Sequence, residues 1–181
     1  MAELDPDIAT ALERSSQLYT LEQVDHALEM LAAQIAKDLA DKHPIVLPIM
    51  NGGLATAAAL LRHFTFPLQQ DYLHITRYRD TTSGGETQWI YRPRLEISGR
   101  HVLLVDDLLD HGITLQAAVD YCSDQDASSV KTAVLIVKDL RLRPGLQTVD
   151  YHALDAPDEY LFGCGMDYKT YWRNAPGIFA I

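Results

Sequence analysis

The sequence predicts an α/β fold, with a mostly parallel central sheet flanked by helices on both faces. Two stretches carry this expectation: residues 102–105 are an unbroken apolar run and residues 130–137 a second one, interrupted only by Lys131 and Thr132, the pattern of parallel strands covered on both sides. A third observation gives the sheet a working end. The first run leads through Asp106, Asp107 and Asp110 to Gly112 and a helical stretch at 115–121, so acidic residues fall where ligands of open α/β sheets collect. With 181 residues, 48% of them hydrophobic, the chain has the size of one domain with a sizeable core.

The elements follow in order. Residues 1–19 have no clear period, and a short helix over 7–17 is expected. Thr20 can then cap a helix with Gln23 three residues on, and Leu21, Val24, Leu28, Leu31, Ile35 and Leu39 recur at helical spacing up to Lys42, before Pro44. Residues 45–49 read as a buried strand in which Pro48 is odd, because proline lacks a ladder donor. Asn51, Gly52 and Gly53 separate it from a small-residue helix over 54–64, and a double glycine there permits close backbone approach to an anion. Residues 68–76 read as another strand. Beyond it a polar stretch from Arg77 and Tyr78 to the pair Gly84 and Gly85 has the composition of a lid.

A net charge of −10 and a pI near 5.0 argue against nucleic acid and anionic membrane as partners, since both need basic surface. Two cysteines make no disulfide scaffold, and the first residues lack the basic and apolar regions of a signal peptide, so a cytoplasmic location is expected. Scattered histidines without Cys-x-x-Cys speak against structural zinc.

Residues 110–114 have the parts of a phosphate cradle. Gly112 lets the backbone turn, and Thr114 offers a hydroxyl where a helix begins with its N–H groups free. Asp106 and Asp107 only accept hydrogen bonds when ionised, so they suit sugar hydroxyls or a metal ion rather than phosphate. The plainer alternative is a strand with acidic residues in a solvated turn.

The stretch VLLVDDLLDHGITL resembles the ribose-phosphate signature of the type I phosphoribosyltransferases. The resemblance implies that family's fold: a single domain over 1–181, with a core of about 40–155 and a small hood from about 156–181 plus the N-terminal segment. It implies that Asp106 and Asp107 hold the ribose hydroxyls of phosphoribosyl pyrophosphate. His111, Gly112, Ile113 and Thr114 would take the 5-phosphate. The family more often has Ser or Thr where this chain has His111.

The remaining matches resemble the hypoxanthine-guanine branch. Asn51 and Gly52 fall on its pyrophosphate loop, where a cis peptide precedes the glycines, here Met50–Asn51; the branch often has Lys or Arg in place of Asn51. Arg77 and Tyr78 fall on its lid, which usually carries Ser-Tyr. Lys138, at the end of the second apolar run, matches the lysine on the purine 6-oxo group; an ammonium donates and never accepts, so it selects a carbonyl over the amino group of adenine. In residues 158–173, Tyr160 matches the aromatic that stacks on the base and Leu161 the residue whose backbone meets its edge. Asp167 matches the carboxylate that reaches magnesium, with Asp106 or Asp107 as a further ligand, and Arg173 a pyrophosphate-binding arginine. Asp110 matches the acid/base residue acting at N7.

The function implied is purine salvage: hypoxanthine or guanine displaces pyrophosphate from phosphoribosyl pyrophosphate, with Mg2+, giving IMP or GMP. A homodimer or homotetramer is expected by the same resemblance. The alternatives are a regulator of the same fold that senses purines or phosphoribosyl pyrophosphate, and an enzyme preferring xanthine or a pyrimidine.

Overall fold

The computed structural model describes residues 4–77 and 87–181, the side chain of Arg77 excepted. Two short helices, α1 (Pro6–Ala9) and α2 (Ala11–Arg14), lead into strand β1 (Ser16–Thr20) and helix α3 (Leu21–Leu39). Then come β2 (Ile45–Met50), α4 (Gly53–Leu61), β3 (Gln69–Gln70), β4 (Leu73–Arg77) and β5 (Thr87–Tyr91). The second half holds β6 (His101–Leu109), α5 (Ile113–Asp124), β7 (Ser129–Lys138), β8 (Tyr151–Ala156), β9 (Leu161–Phe162) and β10 (Gly177–Ala180).

The main sheet runs β5-β4-β2-β6-β7-β8, with β3 also pairing β2. All its pairings are parallel except β4 with β5. Side chains alternate between its faces. On one side Val46, Leu103, Val105 and Leu135 pack with α3 and α4; on the other Ile45, Leu47, Val102, Leu104 and Val134 pack with Leu115, Ala118 and Cys122 of α5. Helices on both faces are why the middle stretches of the central strands, 45–49, 102–105 and 133–137, are apolar.

Helix α3 begins with the expected capping box: the Gln23 amide donates to Thr20 Oγ1 at 3.3 Å and the Thr20 amide to Gln23 Oε1 at 2.9 Å. Its buried stripe starts at Val24, whereas Leu21, at the first helical position, is exposed. The helix stops at Leu39 rather than Lys42, because the chain must turn through His43, at φ 47, to enter β2 behind Pro44.

Pro48 fits β2 for a specific reason. Val46 passes its carbonyl to the Asp71 amide, so Pro48, two residues on, faces the same side. There β3 has ended and β4 has not begun, and the missing N–H leaves no ladder bond unmade. The same break divides the single strand expected over 68–76 into β3 and β4.

The N-terminal expectation is corrected. Instead of one helix over 7–17, α1 and α2 are followed by β1, which pairs antiparallel with β10 from the other end of the chain. With β9 they form a three-stranded sheet, β1-β10-β9, packed around Phe162 and Phe179. Among the described residues no helix is long and apolar enough to cross a membrane.

Candidate active site

Four segments converge at the carboxyl ends of β2, β6 and β7. Strand β6 runs to Leu109, four residues past the apolar run, and pairs with β7 through Asp106↔Val134 and Leu109↔Val137. The acidic pair therefore lies within the strand, beyond its apolar run and short of the turn. Asp106 is 9% exposed and its Oδ1 accepts the Asp107 amide at 2.9 Å. Burial, and then the neighbouring Asp107 charge, push the Asp106 carboxyl well above the usual range; Asp107 is also raised, chiefly by burial, while Arg173 pulls both back.

The folded protein thus retains protons at this pair that the unfolded chain releases. Stability from the site is greatest below the ordinary carboxylate range and declines as pH rises toward the folded values. Asp106→Asn keeps the acceptor for the Asp107 amide and removes the buried charge. It is expected to raise the Tm of the ligand-free protein at pH 7 by roughly 2–4 °C, read by a thermal melt. A lower Tm would mean that the fold depends on the carboxylate.

Beyond β6, Asp110 to Gly112 form a tight turn into α5. Gly112 sits at φ 73, and a Cβ there would overlap the carbonyl of Leu146, so both conformation and space require glycine. As the N-cap it offers no side-chain acceptor, leaving the first amides of α5 free for an anion. Asp106, Asp107, Leu108 and the residues from Asp110 to Leu115, among them His111, Ile113 and Thr114, line a cavity of about 180 Å³ here.

A second cavity, about 240 Å³, is lined by Asp107, Leu108, Asp110, Lys138, Tyr160, Leu161, Met166 and Asp167. Lys138 ends β7 and is 8% exposed; its Nζ lies 3.7 Å from Asp110 Oδ2 and 3.5 Å from Asp158 Oδ1. Asp110 Oδ2 also lies 3.2 Å from His111 Nδ1, whereas Asp110 Oδ1 is buried with no hydrogen-bond partner among the described residues. Tyr160 is half-exposed, held edge-on to Tyr168 with ring centroids 5.6 Å apart. The Leu161 side chain is buried in the core, which leaves only its backbone to meet a ligand.

The loop after β2 completes the site. The Met50–Asn51 bond is cis, as the resemblance implied. A Cβ on Gly52 would overlap the Asp107 carboxylate, and one on Gly165 would lie 2.6 Å from the Gly52 carbonyl, so this loop is packed between the acidic pair and the C-terminal segment. Asn51 is exposed at its edge. Arg173 donates to Asp167 Oδ1 and to the Gly165 carbonyl, each at 2.6 Å, and Asp167 Oδ2 accepts the Thr170 amide at 2.8 Å.

The structure thus gathers Asp106, Asp107, Asp110, Lys138, Tyr160, Leu161 and Asp167 around adjoining cavities, with Gly52 and Arg173 alongside. The backbone of Arg77 ends β4, and its side chain and all of Tyr78 lie outside what the structure describes. Sequence reasoning gave no role to Asp158, the second carboxylate facing Lys138. It also passed over Arg143, which donates to the carbonyls of Asp110 at 2.8 Å and Lys138 at 2.5 Å. An acidic residue two positions before Tyr160 was a usable signal for the first; nothing in the irregular stretch around Arg143 marked the second.

Comparison with known proteins agrees with this geometry. The family model described as phosphoribosyl transferase domain matches residues 14–168. The hypoxanthine-guanine phosphoribosyltransferase of Streptococcus pneumoniae is 33% identical over 162 residues, 89% of each chain. The hypoxanthine-guanine-xanthine phosphoribosyltransferase of Tritrichomonas foetus is 29% identical, over 89% of this chain and 88% of that one. A crystal structure of a hypoxanthine phosphoribosyltransferase from Staphylococcus aureus superposes with a TM-score of 0.88 at 26% identity, covering 98% of this chain and 96% of that one. With a sugar-phosphate signature at the sheet's working end and this likeness running through nearly its whole length, the chain belongs to the phosphoribosyltransferase family, in its hypoxanthine-guanine branch.

Proposed function

We propose that this chain is a purine salvage enzyme that joins hypoxanthine or guanine to the ribose of phosphoribosyl pyrophosphate. The base nitrogen forms a bond to C1 as the bond from C1 to pyrophosphate breaks, giving IMP or GMP. One observation carries the reading above all: Asp110 lines both cavities, the phosphate cradle on one side and the pocket holding Lys138 and Tyr160 on the other. A carboxylate between the sugar phosphate and the base is where a proton must be taken as the ring attacks.

In this reading the free amides of α5, with Thr114, hold the 5-phosphate, and Asp106 and Asp107 accept from the ribose hydroxyls. Tyr160 covers the face of the base and Lys138 donates to its 6-oxo group. Arg173 serves the pyrophosphate, with Gly52 and Asn51 of the cis-peptide loop beside it. Arg77 and Tyr78 belong to the lid. Most of the acceleration comes from positioning and fixed charge around a transition state in which the leaving group departs early.

The donor set fits magnesium. Among the described residues no three His, Cys, Asp or Glu side chains form a ready-made metal cluster. What is present is a crowded acidic pair whose charge is poorly relieved, and Asp167 at the cavity wall. That is the setting in which Mg2+ is bound by one or two carboxylates plus substrate oxygens and water. Asp167, with Asp106 or Asp107, would hold it, and the ion would supply neutralisation of the charge leaving with pyrophosphate. A cytoplasmic homodimer or homotetramer completes the proposal.

The test is a spectrophotometric assay with magnesium, phosphoribosyl pyrophosphate and, in turn, hypoxanthine, guanine, xanthine and adenine. Turnover with the first two and none with adenine is expected. Binding of phosphoribosyl pyrophosphate without consumption of any purine would leave a sensor in place of an enzyme, and dominant turnover of xanthine would change the substrate.

A further inference from the structure

We propose that Arg143 is a positioning residue that fastens the turn carrying Asp110 to the strand end carrying Lys138, so that the acid/base carboxylate and the base-reading ammonium are held as one unit. The roles of those two groups rest on the function proposed above; the mechanical claim about the turn does not.

Residues 139–150 contain no helix or strand, yet they are bound closely to the site. Arg143 Nε donates to the Asp110 carbonyl at 2.8 Å, Nη2 to the Lys138 carbonyl at 2.5 Å and Nη1 to the Gln147 carbonyl at 3.1 Å. The Gln147 side chain closes the segment on itself, donating to the carbonyls of Arg143 at 2.5 Å and Gly145 at 2.7 Å. From this folded segment the Gly145 amide donates to the His111 carbonyl at 3.0 Å and the Leu146 amide to the Gly112 carbonyl at 3.1 Å.

Three consecutive carbonyls of the turn, at Asp110, His111 and Gly112, are therefore all met from one side. Because each peptide is planar and trans, its N–H points opposite its C=O. The amides of His111, Gly112 and Ile113 are turned away from the segment as a result. The same guanidinium that fixes the first of these peptides also fixes the backbone of Lys138.

Only arginine suits this place. Its planar fork reaches three carbonyls in different directions, whereas a lysine ammonium on one flexible stem would serve one or two of them without fixing their relation. The 3.7 Å between Lys138 Nζ and Asp110 Oδ2 is set by two backbones that leave their strand pairing one residue earlier, at Leu109↔Val137, and beyond it Arg143 is the side chain that hydrogen-bonds both among the described residues. Looseness between them should disturb both proton transfer and base choice.

The experiment compares wild type, Arg143→Lys and Arg143→Ala by steady-state kinetics with hypoxanthine and adenine, and by hydrogen exchange at residues 111–113. In both variants kcat for hypoxanthine is expected to fall roughly thirtyfold, and the hypoxanthine-to-adenine ratio of kcat/KM about tenfold. Added guanidinium should restore Arg143→Ala and leave Arg143→Lys unchanged. Exchange at the three amides should quicken in both variants while protection of β6 and β7 is kept. If Arg143→Ala does not fold, Arg143→Lys carries the test. A lysine variant with wild-type kcat, base ratio and exchange would overturn the proposal, as would losses that merely follow a lowered fraction folded. Should wild type consume no purine, the functional reading fails by itself, and the exchange measurement still decides whether Arg143 holds the turn.

Discussion

Asp110→Asn is expected to lower kcat by about 10³ while the dissociation constant for phosphoribosyl pyrophosphate stays within a factor of about three. The split follows from where this carboxylate stands. Its Oδ2 faces Lys138 and His111, and its Oδ1 is buried without a partner among the described residues, an arrangement that is costly unless a ligand proton is to be met there. Asparagine has nearly the same shape and leaves the backbone carbonyl available to Arg143, but it has neither the charge nor the basicity to take a proton from the ring. The sugar phosphate is assigned to other groups, the α5 amides and the Asp106–Asp107 pair, which the substitution does not touch. Steady-state kinetics give the first number and calorimetric titration the second. Equal losses in both would make Asp110 a binding residue.

How far such a site can be read from sequence depends on how local its signals are. The central strands were legible because a strand covered on both faces must be apolar where it is covered, and residues 102–105 and 133–137 obey that, whereas Lys131 and Thr132 at the start of β7 turn to Asp150. The glycine turn into α5 was legible because Gly112 and the helix start lie within a few residues of each other. Strand β8 was not, since it lies at the edge of the sheet and mixes buried Tyr151 and Ala156 with exposed His152 and Asp155. Strand β1 was missed, its first two residues read as the end of a helix, because its partner, β10, is at the far end of the chain, and no local pattern announces a pairing of Ser16 with Ala180.

The functional residues divide the same way. Asp106, Asp107 and Gly112 have a chemical reading from their own neighbourhood, whereas Lys138, Tyr160, Asp167 and Arg173 acquired roles only through family resemblance. Bottom-up, Tyr160 could equally have been a core aromatic; the structure leaves its ring half-exposed at the cavity. Arg143 lay beyond both routes. Its partners are main-chain carbonyls, which every sequence possesses, so the contact leaves no compositional trace.

For Lys138→Ala, kcat/KM with hypoxanthine is expected to fall by about 10³ and the preference over adenine to vanish. Lys138 is buried, and a buried ammonium needs partners for its three donors. Two carboxylates, Asp110 and Asp158, pair its charge at 3.7 Å and 3.5 Å without a hydrogen bond among the described residues, so a donor is open to the pocket. A 6-oxo group satisfies that donor; the amino group of adenine would bring donor against donor in a dry site, at the cost of an unmade charged hydrogen bond. Alanine removes this choice and also leaves two carboxylates facing each other without a cation, so the loss with hypoxanthine exceeds that of one contact. Lys138→Gln separates the two effects, because its amide can donate to an oxo group or accept from an amino group. Gln should restore part of the hypoxanthine rate and admit adenine. Unchanged rejection of adenine by both variants would place base selection elsewhere in the pocket.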